Sequence, residues 1–299
     1  MNMPNVSIGF PVYNGGNYIK EAINSILSQT YTDFEMIISD NGSTDNTMEI
    51  CNSYAIKDLR IRYYRNNINK GGAWNFNNVF RFAIGKYFIW ACHDDVWNSN
   101  LLERYVNAFS EMPDIISCYS RTTFINEHGE PLFSVVGRPD LNIASPHQRF
   151  RLFLKYHSPT NECSQVLGLF RIDVLRKTPL IGKYPSSDMI LLGEIALRGK
   201  SHEVKNCLLI RRDHPLKSTT AYPTIEERIE WFDPLKKGKI QFTTWQWVYE
   251  LHKSVFRSPV DLFEKAICMK EVWKWGWTNR IDMKKEIRKC AKRVLRPNG

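Results

Sequence analysis

No stretch of this 299-residue chain reaches the roughly 18 consecutive apolar residues that a membrane-crossing helix needs, so no transmembrane helix is expected. The opening residues lack a basic segment followed by a long apolar run, and no secretory leader is expected from them. The seven cysteines are odd in number and none stands in a Cys-x-x-Cys pair. That favours reduced thiols in a cytoplasmic protein over a disulfide frame or a zinc site. No Gly-x-x-x-x-Gly-Lys loop and no Gly-x-Gly-x-x-Gly follows an apolar strand, which sets aside P-loop and dinucleotide-binding Rossmann proteins on motif grounds. Internal repeats and low-complexity segments are missing too.

What is present describes an ordinary globular chain. It is 43% hydrophobic and 24% charged, long enough for one large domain or two smaller ones with a substantial core. The 41 Lys+Arg against 31 Asp+Glu give a net charge of +10, and its distribution is uneven. Residues 1–235 hold 25 basic and 25 acidic side chains, whereas 236–299 hold 16 and 6. Five of the nine tryptophans (Trp245, Trp247, Trp273, Trp275, Trp277) share that basic stretch. A nucleic-acid binder would spread its charge over the folded body, so no nucleic-acid partner is expected.

The first hundred residues alternate strand and helix patterns. Val6 to Phe10, closed by Pro11, reads as a buried strand, and Tyr18 to Gln29 has helical apolar spacing. Phe34 to Ser39, Ile61 to Arg65 and Tyr87 to Cys92 read as further strands, with helices over about 46–55 and 73–83 between them. Such alternation predicts an α/β fold with a mainly parallel sheet flanked by helices. Residues 115–136 read as strands, 145–157 and 187–199 as helices, and from Ile225 onward the pattern is helical. In sheets of this kind ligands bind beyond the carboxyl ends of the strands. The places to search are therefore Pro11-Val12-Tyr13-Asn14, Asp40-Asn41-Gly42-Ser43 and His93-Asp94-Asp95.

Two adjacent carboxylates after an apolar strand repel each other and suit a divalent cation, Mn²⁺ or Mg²⁺, shared with a phosphate. Asp94 and Asp95 are read that way, or as solvated loop carboxylates. Asp40 can accept from a nucleobase N–H or shape the turn that follows it, with Ser43 or Asp45 a helix cap. Tyr13 can stack on a base or pack in the core.

In combination these residues resemble a known family. Val6 to Asn14, followed by Ile23-Asn24-Ser25-Ile26-Leu27-Ser28-Gln29-Thr30-Tyr31, is similar to the opening of inverting family 2 glycosyltransferases, which have the GT-A fold. Asp40 to Thr47 resembles that family's Asp-x-Gly-Ser-x-Asp segment. Asn69-Lys70-Gly71-Gly72 with Asn75, then Ala83-Ile84-Gly85 and His93-Asp94-Asp95, continue the pattern in order. The resemblance implies a nucleoside-diphosphate-sugar donor, a UDP- or dTDP-sugar foremost. It implies that Pro11, Tyr13 and Asp40 line the base and ribose pocket, with Asn14, Asn75, Asp94 and Lys217 also among the donor-binding residues. Asp95 is then the direct metal ligand, although His-Asp-Asp departs from the commoner Asp-x-Asp.

Ser187 to Leu192 resembles the family's catalytic segment, where an Asp opens a helix beneath the acceptor. An inverting transfer needs a base for the acceptor hydroxyl, and Asp188 is assigned that role, with Glu194 as fallback. Arg211 to Ser218 resembles a late segment whose His can complete the metal shell, which assigns His214 to the metal or to the diphosphate.

Three segments follow: a nucleotide-sugar-binding half over 1–112, an acceptor-side half of the same domain over 113–224, and a basic, Trp-rich helical extension over 225–299. Within the last, Ile281, Ile287, Ala291, Val294 and Leu295 oppose Lys284, Lys285, Arg288, Lys289, Lys292 and Arg293. A helix of that kind can lie on an anionic membrane surface near a lipid-linked acceptor, or pack on the body with a solvated basic face. The expectation is a peripheral protein on the cytoplasmic face of a membrane, transferring a sugar to a glycan or lipid-linked glycan. A nucleotidyltransferase, the rival enzyme class, would carry a basic Gly-rich loop where this chain has Asn14-Gly15-Gly16-Asn17. A non-catalytic glycan- or membrane-binding protein on the same fold would not need Asp40, Asp95 and Asp188.

Overall fold

The structure, a computed structural model, describes residues 3–135, 139–157 and 163–295. The first 90 residues lay down the strands β1 (Val6–Val12), β2 (Phe34–Asp40), β3 (Ile61–Arg65) and β4 (Tyr87–Trp90). They are joined by α1 (Ile19–Leu27), α2 (Thr47–Lys57) and α3 (Gly72–Arg81). Every residue of β1, β2 and β4 is buried, as expected of strands covered on both faces. They pair in parallel in the order β3-β2-β1-β4. α3 comes very close to this sheet at Gly9, where an added Cβ would lie 2.6 Å from both Phe88 and Val79.

β1 runs two residues past the expected stop and includes Pro11. The last β1–β4 pair is Gly9↔Trp90, so the side on which the Pro11 N–H would be needed has already lost its partner strand. Proline there removes no ladder bond.

The chain continues through β5 (Val96–Trp97), α4 (Leu101–Glu111), β6 (Ile115–Ile125), β7 (Pro131–Val135), α5 (Pro146–Tyr156) and β8 (Leu169–Arg171). Then come α6 (Ile172–Leu175), α7 (Ser187–Arg198) and β9 (Lys200–Arg212). These strands extend the same sheet as β4-β8-β6-β9-β5, with β7 on β6. β6–β9 is parallel, while the pairs made by β5, β7 and β8 are antiparallel. The two expected halves thus share one sheet, and β5 from the first half closes its far edge.

After β9 come α8 (Ser218–Ala221), α9 (Ile225–Phe232), α10 (Thr243–Arg257), α11 (Leu262–Thr278) and α12 (Arg280–Leu295). α10 packs on α7, and α11 on α5 and α10. Polar links reinforce these contacts: Arg151 to Glu271 at 2.9 Å, and His147 to Glu264 at 2.9 Å. Among the described residues no helix is long and apolar enough to cross a membrane. Six cysteines with described side chains are free thiols; the Cys207 side chain lies outside the described ones, as do those of Arg293, Val294 and Leu295.

The fallback base is corrected by the packing of α7. Glu194 is fully buried, and its two oxygens take Arg198 at 2.6 Å and Arg257 at 2.7 Å. It bolts α10 to α7 and has no surface to offer an acceptor. Glu194→Ala would leave the buried Arg198 without its counter-ion, and stability should fall by about 3 kcal/mol in urea unfolding. A loss below about 1 kcal/mol would refute the bolt.

Candidate active site

Beyond β4 the chain leaves the sheet through Cys92 and His93 and reaches Asp94 and Asp95, where the end of β9 lies alongside. The Arg212 N–H donates to Asp95 Oδ1 at 3.1 Å, and Arg212 Nε donates to the Asp94 carbonyl at 3.2 Å. Arg211 Nε lies 3.3 Å from Asp95 Oδ2, and His214 Nε2 lies 3.0 Å from Asp94 Oδ2. Asp94, Asp95 and His214 therefore meet, although 118 or more residues separate His214 from the pair in sequence. Lys217 is close by, its ammonium 4.8 Å above the Phe124 ring and its charge acting on Asp95.

Burial pushes the Asp95 carboxyl up to about 6, with Arg211 opposing and Asp94 adding to the rise. Burial works on Asp94 as well, but the charge of His93, the His214 hydrogen bond and Arg211 outweigh it and hold Asp94 below the usual carboxylate range. The Cys92 thiol, missed in the sequence reading, is pushed well up by burial and then by Asp95 and Asp94, so it stays protonated. Its sulfur and one oxygen of each Asp lie within 4.8 Å of one another. Asp95 Oδ2 is buried without a hydrogen-bond donor. The Arg211 guanidinium at 3.3 Å offsets part of the cost of burying that oxygen, and a second cation would offset more. Carboxylate oxygens suit Mn²⁺ or Mg²⁺, so Asp94 and Asp95 fit a divalent ion, with His214 beside them through its contact with Asp94.

The residues after β1 and β2 do two different jobs. Asn14 (φ 52°) is stapled to the 43–47 segment: its N–H donates to Ser43 Oγ at 2.9 Å, and its Oδ1 accepts the Thr44 N–H at 2.8 Å. Asp45, one of the two expected caps, accepts from the Gly16 N–H and from the Thr47 N–H and hydroxyl. Asp40 is fully enclosed, accepting from the Ser43 N–H (2.8 Å), the Tyr63 hydroxyl (2.9 Å) and Arg65 Nε (3.2 Å). No face of Asp40 is open to a base in this arrangement; it shapes the turn and holds Arg65, whose side chain is 37% exposed. Arg65 ends β3, so the strand-end rule that found Asp40 also reaches it.

Pro11 is buried and Tyr13 half-buried. Tyr222 sits near Tyr13: burial, then the Tyr13 hydroxyl, raise its own hydroxyl pKa. Asn75 spans the ends of β1 and β2, its Nδ2 donating to the Val12 carbonyl at 3.2 Å and the Ser39 carbonyl at 2.9 Å. Its Oδ1 is buried with no donor, a second unmet acceptor at this edge of the sheet.

Asp188 lies in the first turn of α7, half-buried, after Ser186 in the left-handed region (φ 59°). A run of contacts links the segment before this turn to the residues that follow β2. Asn41, just past β2, donates to the Gly71 carbonyl, and a Cβ on Gly71 (φ 90°) would meet the Phe232 carbonyl at 2.5 Å. Lys236, following α9, donates to the Lys183 carbonyl at 2.8 Å. Trp247 of α10 donates its indole N–H to the Pro185 carbonyl at 2.7 Å, one residue before the strained Ser186. No local motif announces Trp247; only the fold brings it there.

The family profile of glycosyl transferase family 2 matches residues 7–178. The chain belongs to that family. An uncharacterized glycosyltransferase of Rickettsia prowazekii is 36% identical over 177 residues, which are 56% of this chain and 54% of that one. The match therefore spans about half of that relative's length. Among solved structures, Staphylococcus aureus TarS 1–349 superposes over 92% of this chain and 72% of its own at TM-score 0.62 and 15% identity, and TarS is also solved with UDP and with UDP-GlcNAc. The mannosyltransferase PcManGT of Pyrobaculum calidifontis, in complex with GDP-Man and Mn²⁺, covers 98% of this chain and 88% of its own at TM-score 0.55 and 15% identity. These likenesses show the fold, a GT-A-like mixed sheet with a helical C-terminal region.

Two outcomes follow for this chain. Because the Asp95 carboxyl is raised, the folded chain holds a proton that the unfolded chain gives up, so ionising Asp95 costs stability as pH rises towards about 6. A divalent ion competes with that proton. Mn²⁺ should raise the unfolding temperature more at pH 7.5 than at pH 5, and Asp95→Asn should flatten the difference; equal wild-type shifts at both pH values would refute it. Trp247→Phe removes the donor to the Pro185 carbonyl and should lower turnover about fivefold without changing donor affinity. A weaker donor affinity would show that Trp247 acts elsewhere.

Proposed function

We propose that this family 2 enzyme is an inverting hexosyltransferase that moves a sugar from a UDP- or dTDP-sugar onto a hydroxyl of a glycan or lipid-linked glycan. The observation that carries this reading is the meeting of Asp94, Asp95 and His214 just beyond the end of β4, in a chain whose residues 7–178 match the family profile. The nucleotide would lie over the ends of β1 and β2, with Tyr13 stacking on the base, Pro11 and Asn14 in the wall and the unmet Asn75 Oδ1 facing the donor. Asp95 and His214 would hold a divalent ion, which would supply charge for the diphosphate leaving group. Lys217, with Arg211 beside it, adds fixed positive charge at the same place.

Asp188 takes the proton from the acceptor hydroxyl as that oxygen attacks the anomeric carbon from the face opposite the diphosphate. One C–O bond forms as the bond to the diphosphate breaks, and the configuration inverts. The left-handed Ser186 and the Trp247 hydrogen bond fix where α7 begins, and so where the Asp188 carboxylate points. The likeness to TarS, solved with UDP-GlcNAc, supports a uridine donor; the likeness to PcManGT, solved with GDP-Man, keeps guanosine donors in the test. Peripheral attachment to an anionic membrane through 281–295 belongs to this reading.

Hydrolysis and transfer assays with UDP-, dTDP- and GDP-sugars, with and without Mn²⁺, test it. Asp188→Asn should keep donor binding and lose transfer by about a hundredfold or more. Wild-type turnover in Asp188→Asn would remove the base, and failure of every donor to bind would remove the reading.

A further inference from the structure

The helical extension has two faces with different chemistry. Inward, α10 and α11 bury Leu251, Val255, Cys268, Val272 and Trp275 against the body, and Trp247 reaches the turn before Asp188. Outward, they carry large aromatic side chains that remain substantially exposed. On α10 these are Trp245, Tyr249 and Phe256, at 44%, 59% and 66% exposure. On α11 they are Phe263, Trp273 and Trp277, at 75%, 71% and 70%. Within each helix the spacing places them on one side. The helices pack side by side, with Val248 against Gly276 and the His252 ring edge-on to Trp273 at 5.8 Å, so the two rows form one surface. The half-exposed Ile281 and Ile287 of α12 continue it.

The surroundings of this surface are basic. Residues 236–299 carry 16 basic and 6 acidic side chains. Three of the acidic ones, Glu250, Glu271 and Asp282, are paired with Lys253, Lys274 and Lys285. Lys270, Lys284 and Arg288 make no ion pair among the described residues. Arg280 lies 4.8 Å above the Trp277 ring. Exposed tryptophans ringed by unpaired Lys and Arg are what the boundary between lipid headgroups and acyl chains accommodates, the rings entering and the cations reaching phosphate. A second copy of this chain would set two such cationic rims against each other, which the charge opposes.

We propose that the outward face of α10 and α11, extended by α12, docks on an anionic lipid bilayer. This face is larger than the 281–295 helix alone and differs from it in being aromatic. α10 would lie between the bilayer and the Asp188 turn, so the base would stand about one helix diameter, roughly 10–12 Å, from the docked surface. That is within reach of a hydroxyl on a lipid-linked acceptor. The link to such an acceptor rests on the transferase reading; the docking itself does not.

The test is sedimentation of the full chain with vesicles of phosphatidylcholine alone and with phosphatidylglycerol added. Binding should need the anionic lipid. Trp273→Ser combined with Trp277→Ser should weaken it by about tenfold or more, and Lys270→Glu with Lys284→Glu should weaken it comparably. Lys57→Glu, on α2, should bind as wild type. Quenching of wild-type tryptophan fluorescence by brominated anionic lipid reads the same contact without any variant. No vesicle binding, no quenching, or equal binding by the tryptophan variant would overturn the proposal. So would a concentration-dependent dimer that the same substitutions abolish, in a chain that ignores vesicles. Donor turnover measured without lipid reports separately on the transferase.

Discussion

The Arg212 guanidinium is the joint on which the candidate site depends. It is almost fully buried, and it donates to the carbonyls of Asp94, Asn126 and Glu127 and to the Glu21 carboxylate. Tyr18 lies across it at 4.8 Å. One side chain thus ties α1, the segment after β4, the β6–β7 turn and the end of β9. Its own N–H adds the bond to Asp95. A buried guanidinium keeps its charge and offers five donors in a fixed fork, and four of them are used here to hold four segments together. The consequence is chemical: two adjacent carboxylates stay close and differently poised, Asp94 held ionised and Asp95 shifted towards neutrality.

The residues around the expected nucleotide pocket divide by the same logic. Those with both polar ends satisfied inside the protein build the wall, as Asp40, Asn41 and Asp45 do. Those left with a buried acceptor that takes no hydrogen bond, Asn75 Oδ1 and Asp95 Oδ2, are less completely satisfied, although Arg211 lies 3.3 Å from the second. A segment such as Asp40 to Thr47 can therefore mark a ligand site while most of its own hydrogen bonds go to holding a loop shut.

This division also explains what was legible in the sequence. Alternating apolar runs gave the parallel strands and the edge at which they end, because β1, β2 and β4 are buried on both faces and have to be apolar throughout. The meeting of His214 with Asp94 came from position within a family pattern, since nothing local in Arg211 to Ser218 names a partner 120 residues away. Enclosure was illegible: Asp40 closes against Tyr63 and Arg65 only once β3 pairs beside β2, and Glu194 sits on a helix position that reads as accessible until Arg257 arrives from α10. Trp247 was illegible for the same reason, a long-range contact with no periodic signature.

The basic excess can now be placed. The metal-site end of the body keeps its cations, Arg211, Arg212 and Lys217, paired to carboxylates or carbonyls, where each has a local task. The extension keeps Lys270, Lys284 and Arg288 facing water, alongside aromatic rings that cost free energy to expose. A helix layer needed only to cover α5 and α7 would do so with the buried residues of α10 and α11, and its outer side would be polar. The outer aromatics are surplus to that structural task. They suit the apolar, negatively charged surface proposed above, and the same helix that carries them outward holds the turn before Asp188 inward.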